Sequence, residues 1–162
     1  MTAPSDATSS PYALPALRRH YQQAAADEAA SRHFHALMSR ASERDAVQLA
    51  YKAAAEALLA KHTGGVFDKL ERVKAASRQF DAAVALSPQH PEVRFLRFSV
   101  ESNLPRFLGA SKHVDDDRAF LVQAALQHPR SGLDAEAFEL VRRFLLDHQH
   151  LTPAQARQLG EK

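Results

Sequence analysis

The sequence contains no cysteine and no tryptophan, and only 5 of its 162 residues are glycine. Without cysteine, the chain cannot form disulfides, thiolate zinc sites or iron–sulfur clusters, and it has no thiol nucleophile. It also has no long apolar run, so we expect no transmembrane helix. Alanine, by contrast, accounts for 31 residues. This excess of helix formers over turn residues predicts an all-α protein.

Charge of one sign does not dominate either, because 21 basic and 19 acidic residues are interspersed and leave a net charge of +2. Nucleic-acid-binding domains usually concentrate positive charge on one face, so we do not expect a nucleic-acid partner. The weaker alternative is a helix-face contact through Arg18, Arg19, Arg142 and Arg143. The first residues lack a basic stretch followed by an apolar one, so we expect no signal peptide. The predicted location is the cytoplasm, or the periplasm if a leader has been removed.

Apolar residues recur at steps of three and four from Tyr12 onward, which is the periodicity of amphipathic helices. The predicted helices cover 13–25, 27–40, 45–62, 66–86, 91–102, 114–127 and 134–148, followed by a short helix that begins with Thr152, Pro153 and Gln155. Short connections imply antiparallel neighbours. The chain is therefore predicted to be an all-α bundle or short array of seven or eight helices.

The domain organisation predicted from this pattern is simple. Residues 1–11 are rich in Ser, Thr, Ala and Pro and are predicted to be a mobile tail, while 12–162 are predicted to form a single helical domain. The connection 103–112 is the longest irregular segment. Its apolar residues Leu104, Phe107 and Leu108 are expected to pack under the body of the domain.

The fourth predicted helix carries a repeat-like spacing. Ala76, Phe80, Ala83 and Pro88 match the A-x3-F-x2-A-x4-P pattern of the second helix of a tetratricopeptide repeat. Small alanines allow close helix crossing, and the aromatic ring fills the gap between the helices. The predicted partner is helix 45–62, so that the tetratricopeptide-like pair covers about 45–88. The residues expected on one face of the fourth helix are Val66, Leu70, Val73, Phe80 and Val84.

Three stretches, AYKAAAEALLAKH (50–62), FDAAVALSPQHPEVRFLRFSV (80–100) and PRFLGASKHVDDDRAFL (105–121), resemble an uncharacterised bacterial family with tetratricopeptide-like helices, of the Bacteroidetes type. The resemblance implies a helical-repeat fold and carries no activity. The first-helix positions of the full repeat, counted back from Pro88, straddle Gly64-Gly65, and Arg94 and Arg97 stand where apolar residues would follow. We therefore predict one degenerate repeat inside a bundle.

No pattern in the sequence points to a catalytic residue, a metal ion or a cofactor, and we expect none. His33 with His35, and His148 with His150, are spaced at i and i+2, so their side chains point apart on a helix. We interpret them as surface histidines. Asp115, Asp116 and Asp117 are interpreted as first-turn residues that favour the helix dipole.

The candidate binding residues are Arg94, Arg97, Asn103, Arg106 and Lys112. Their cations could hold a carboxylate or a phosphate. The alternative is that Glu92, Glu101 and the three aspartates neutralise them, for example Arg97 with Glu101 at i+4.

The function expected from these patterns is a non-enzymatic helical module that binds an unidentified protein or peptide. The alternative is a binder of a small anionic ligand or an acidic peptide, using the face of Arg94, Arg97 and Arg106.

Overall fold

The computed structural model describes residues 10–161, and within them all regular secondary structure is helical. Eight α-helices follow one another: α1 (Leu14–Ala26), α2 (Glu28–Met38), α3 (Ala46–Lys61), α4 (Val66–Leu86), α5 (Pro91–Asn103), α6 (Val114–Gln127), α7 (Ala135–Asp147) and α8 (Pro153–Gly160). A 3₁₀ turn over Arg106–Leu108 lies between α5 and α6. The all-α prediction is confirmed. Most of the mobile tail predicted for 1–11 lies outside the described residues.

The helix ends follow from local chemistry. Asp45 and Asp134 accept hydrogen bonds from the backbone N–H groups three residues on, at the starts of α3 and α7. Thr152 and Gln155 form a capping box at α8. Gly65 precedes α4 with φ +84°, a left-handed conformation that glycine adopts without strain. These caps explain why the helices begin within one or two residues of the predicted positions.

α3 and α4 form the most extensive helix pair of the described residues. Ala60 near the end of α3 packs with Val73 near the start of α4. Ala54, in the middle of α3, shares a core cluster with Phe80 and Ala83 from farther along α4. The two helices therefore run antiparallel, and Phe80 fills the space between small side chains as the sequence predicts.

The buried apolar side chains form two main clusters that meet at α5. The first joins α1, α2 and α3 with parts of α4 and α5, including Val93 and Leu96. The second joins α5 to α6, α7 and α8, and takes Phe98 from α5. None of the helices in residues 10–161 is both long and apolar enough to cross a bilayer.

Two packing predictions are wrong. Phe107 was expected under the body but is 87% exposed, because the 3₁₀ turn directs Leu104 and Ala110 to the core at either side of it. Val66 was expected on the buried face of α4 but is 78% exposed. The reason is that α3 ends at Lys61, so the first turn of α4 has little to pack against.

Candidate functional site

A half-open groove runs along α5 between α1 and α7. Its floor is the stripe Glu92, Leu96, Ser99 and Asn103, whose spacing places one side chain per turn on a single face of α5. The eleven helical steps from Glu92 to Asn103 span about 16 Å, and the cavity has a volume of about 270 Å³. The remaining lining residues are Arg18, Tyr21, Gln22, Tyr51, Phe95, Ala137, Leu140, Val141, Arg143, Phe144, Asp147 and His148.

Aromatic rings line both sides of this groove. Tyr21 of α1 and Tyr51 of α3 meet edge to face with ring centroids 6.1 Å apart. Phe95 of α5 and Phe144 of α7 do the same at 5.6 Å. The hydroxyl groups of Tyr21 and Ser99 lie 3.2 Å apart and share a hydrogen bond. The rings thus present apolar surface while their polar atoms are already bonded within the protein.

One end of the groove is closed by a buried charge network centred on Arg18. Its guanidinium group donates two hydrogen bonds of 2.9 Å to the two carboxylate oxygens of Glu92. It also donates to Asp134 at 2.9 Å and to Glu136 at 3.0 Å, at the start of α7. The Tyr51 hydroxyl donates to Glu92 at 2.7 Å. This network connects α1, α3, α5 and α7.

Burial and hydrogen bonding in this network shift the pKa values of Arg18 and Tyr51. Burial alone would lower the pKa of Arg18, but the hydrogen bonds to Glu92 and Asp134 raise that pKa above its ordinary value. Burial, followed by the negative charge of Glu92, raises the pKa of Tyr51 well above its usual range. Arg18 therefore stays charged and Tyr51 stays protonated at any physiological pH, so neither is poised to transfer protons.

The end of the groove opposite the Arg18 network has a polar rim. Asn103, where the floor stripe reaches the rim, is exposed there together with Gln22, Arg143, Asp147 and His148. The Asn103 amide donates to the Ser99 carbonyl oxygen at 2.7 Å, which orients the side chain along the floor. Arg143 and Asp147 lie one turn apart on α7. The groove thus combines an aromatic interior with a rim that carries both charge signs.

The candidate binding residues are not brought together in one site. Both Arg94 and Arg97 bind Asp117, which is fully buried. Arg97 donates to the two Asp117 oxygens at 2.8 and 2.9 Å, and Arg94 donates to one of them at 2.6 Å. The Arg94 guanidinium also lies 4.4 Å from the centroid of the Phe120 ring. These two cations are held by groups of the protein itself.

The other candidates lie elsewhere. Asn103 belongs to the groove floor, and Lys112 is exposed in the connection before α6. The backbone of Arg106 begins the 3₁₀ turn, and its side chain lies outside the described part of the structure. The structure therefore places Arg94 and Arg97 in an ion-pair cluster and separates Asn103 from them.

Asp117 has a larger role than a first-turn residue. It lies in the first turn of α6 as predicted, but its carboxylate accepts from α5 and does not cap its own helix. Asp117 thus neutralises both Arg94 and Arg97, which is the alternative that the sequence left open. The suggested Arg97–Glu101 pair does not form.

The carboxylate of Glu101 is used differently. It binds the ring of His113 at 3.0 Å, and the other ring nitrogen of His113 lies 3.6 Å from Asp81. Burial raises the pKa of Glu101, and the hydrogen bond from His113 opposes that rise.

Members of the two histidine pairs, and two of the arginines considered for nucleic acid, also make contacts within the protein. His35 binds Glu56, while His148 and His150 both stack on Phe144. No group of three potential metal ligands occurs among residues 10–161. Of the arginines considered for nucleic acid, Arg18 is buried, and Arg142 donates to the Leu159 carbonyl oxygen near the end of α8.

Sequence reasoning missed the groove itself, although one signal was present. Arg18 occupies the buried stripe of α1 formed by Leu14, Leu17 and Tyr21, at i, i+3, i+4 and i+7. A charged residue in such a stripe requires a buried partner. That position could have indicated an internal salt bridge. Which carboxylate it meets is decided by contacts 74 to 118 residues away along the chain.

The chain matches no family model, no curated protein and no solved structure.

Proposed function

We propose that the protein is a non-enzymatic helical interaction module, tetratricopeptide-like, whose groove along α5 binds a peptide segment of a protein partner. The observation that carries the proposal is the origin of the groove: its lining residues come from α1, α3, α5 and α7, alternate helices of the chain. Helical-repeat arrays build their concave binding surfaces in this way, from one helix of each stacked pair. We also propose that the chain is related to the uncharacterised bacterial family that it resembles, and that it is located in the cytoplasm.

The size and chemistry of the groove favour a peptide as its ligand. A cavity of about 270 Å³ lies just below the range of about 300–1,000 Å³ usual for small-molecule pockets. A groove about 16 Å long accepts a few residues of peptide with one or two apolar side chains inserted. Aromatic rings such as Tyr21 and Phe144 supply large contact area, which is typical of binding hot spots. The exposed Asn103 and Arg143 at the rim can bond to the peptide's polar groups.

The buried ionisable groups of the groove support binding over catalysis. Arg18, Glu92 and Tyr51 are mutually hydrogen-bonded, which uses their charges for structure. A catalytic acid or base needs a pKa near the working pH, and the shifts at Arg18 and Tyr51 move both away from it. The alternative of an anion site at Arg94, Arg97 and Arg106 has less support, because Asp117 already holds the first two.

The test is a selection of phage-displayed peptides on the immobilised full chain, followed by calorimetric titration of the enriched peptides. Leu140 lines the groove and is only partly buried, so Leu140→Glu introduces a charge there without replacing a core residue. Leu86 on α4 is 51% exposed and lies outside the groove, so Leu86→Glu is the matched control.

We expect the enriched peptides to share a large apolar residue. Leu140→Glu should weaken their binding at least about 10-fold, as loss of a central contact does, and Leu86→Glu should leave it unchanged. Equal binding to both variants, or no enrichment over an unrelated helical protein, would contradict the proposal. Thermal melts followed by circular dichroism would confirm that both variants are folded.

A further inference from the structure

The outer face of α4 carries an uncovered stripe of four side chains. Phe67, Glu71, Lys74 and Arg78 follow one another at i, i+4, i+7 and i+11, opposite the buried face of this helix, and all four are exposed. Phe67 is 84% exposed, although phenylalanine is among the residues most often buried. Among residues 10–161, Glu71 and Lys74 form an ion pair only with each other, at 3.8 Å, with 70% and 55% of their side chains exposed.

The order of these four residues is self-complementary. When two copies of a helix pack antiparallel about a twofold axis, residue i of one copy meets residue j of the other, and j meets i. With the axis between residues 72 and 73 of α4, Glu71 faces Lys74 of the second copy, and Lys74 faces its Glu71. Phe67 likewise faces Arg78 of the second copy, a pairing suited to a cation–π contact. Every charged group of the stripe thus meets an opposite charge or an aromatic ring.

We infer that this stripe is a homodimer interface, in which α4 of one copy packs antiparallel against α4 of a second copy. The occupant that the charge order fits is the chain itself, because the same four residues supply both halves of each contact. The stripe covers eleven helical steps, from Phe67 to Arg78, or about 16 Å. One helix crossing of this length buries less surface than a standard interface of about 1,200–2,000 Å². The dimer is therefore weak and depends on concentration.

The interface is independent of the groove proposed above. The groove is lined by α1, α3, α5 and α7, and no residue of α4 lines it. A dimer through α4 leaves both grooves open, so failure of one proposal does not affect the other.

The test is sedimentation equilibrium of the full chain between about 10 µM and about 1 mM, the range in which a weak complex dissociates. Charge exchange provides the sharpest set of variants: Glu71→Lys, Lys74→Glu, and the two combined. Phe67→Ala removes the ring from the stripe. Phe107→Ala is its control, because Phe107 is equally exposed but lies outside α4.

We expect the wild-type chain and Phe107→Ala to dimerise alike. Each single charge exchange and Phe67→Ala should weaken the dimer at least about 10-fold, the effect of removing a central contact. The combined exchange should restore it, because it recreates both contacts with their signs reversed. A monomer throughout the range would overturn the inference and leave the stripe for a different partner. Dimerisation that survives Phe67→Ala, or that the combined exchange does not rescue, would overturn it as well.

Discussion

Replacement of Arg18 by alanine tests the central ion network, and we expect it to lower the free energy of unfolding by about 3–5 kcal/mol. The Arg18 and Glu92 side chains are only 5% and 8% exposed, and they share two hydrogen bonds of 2.9 Å. Without the guanidinium, the one hydrogen-bond partner that the described part of the chain leaves to the Glu92 carboxylate is the hydroxyl of Tyr51. A buried charge without a counter-charge accounts for nearly all of the expected loss.

The half-exposed partners of Arg18 add little to this figure. Asp134 and Glu136 are 53% and 56% exposed, so water solvates their carboxylates once the guanidinium is gone. Exposed pairs of this kind contribute about 0.2–1 kcal/mol at most. For a chain of this length each kcal/mol corresponds to about 2–4 °C in Tm, so the variant should melt about 6–20 °C lower.

Urea unfolding followed by circular dichroism measures the change, and the chain offers a matched control. Arg32 and Glu28 form a bridge of the same 2.9 Å length on the surface of α2, with side chains 60% and 54% exposed. Arg32→Ala should therefore cost no more than about 0.5 kcal/mol. The two arginines differ in burial and not in the length of their contacts.

A double variant tests the stranded charge by removing it while keeping most of the packing. Arg18→Met with Glu92→Gln removes both charges, keeps an acceptor for the Tyr51 hydroxyl and retains an unbranched side chain at Arg18. Replacing both members of a buried pair is far milder than removing one, so we expect recovery of about half the loss or more. If Arg18→Ala costs no more than Arg32→Ala, the reasoning about burial is refuted. If the double variant is as unstable as the single one, a stranded charge on Glu92 is not the cause of the loss.

Two further predictions concern single contacts. Phe80→Ala is expected to lower the free energy of unfolding by about 3–5 kcal/mol, because truncating a fully buried phenylalanine leaves a cavity. A calorimetric Tm near that of the wild type would show that α4 does not pack on α3 as described. The hydrogen bond from Arg18, followed by that from the Ala137 N–H, holds the pKa of Asp134 below its ordinary value of 3.8. The stability that Asp134 contributes is therefore present above that value and is lost as the pH falls through the lower folded-state pKa. In urea titrations, the gap between wild type and Asp134→Asn should close on acidification, and a gap that is constant from pH 6 to pH 2 would contradict this.

The helices could be predicted because their signals are local. Caps such as Asp45 and Thr152 act on backbone groups three residues away, and the periodicity of apolar residues is visible within one helix. The antiparallel pair of α3 and α4 could also be predicted, since its connection is short and Phe80 with Ala83 marks its contact face. These inferences needed only neighbours in the chain.

The groove and the ion pairs could not be predicted, because they depend on how distant helices meet. The sequence left open whether Arg94 and Arg97 are free cations or are neutralised by nearby acids, and only the packing of α6 on α5 shows that Asp117 lies between them. Phe107 was assigned to the core because it is apolar, although a three-residue 3₁₀ turn cannot direct every side chain inward. Hydrophobicity indicates which residues can be buried, and the tertiary arrangement decides which of them are.

The position of α5 between the two main apolar clusters has a consequence for how the chain can be divided. Val93 and Leu96 complete one cluster while Phe98 completes the other. A fragment that stops before α6 would expose the Phe98 side of α5 to water, and a fragment that begins at α6 would lose the α5 surface that α6 and α7 both contact. We therefore expect neither half to fold alone and the two halves to melt together in one cooperative transition.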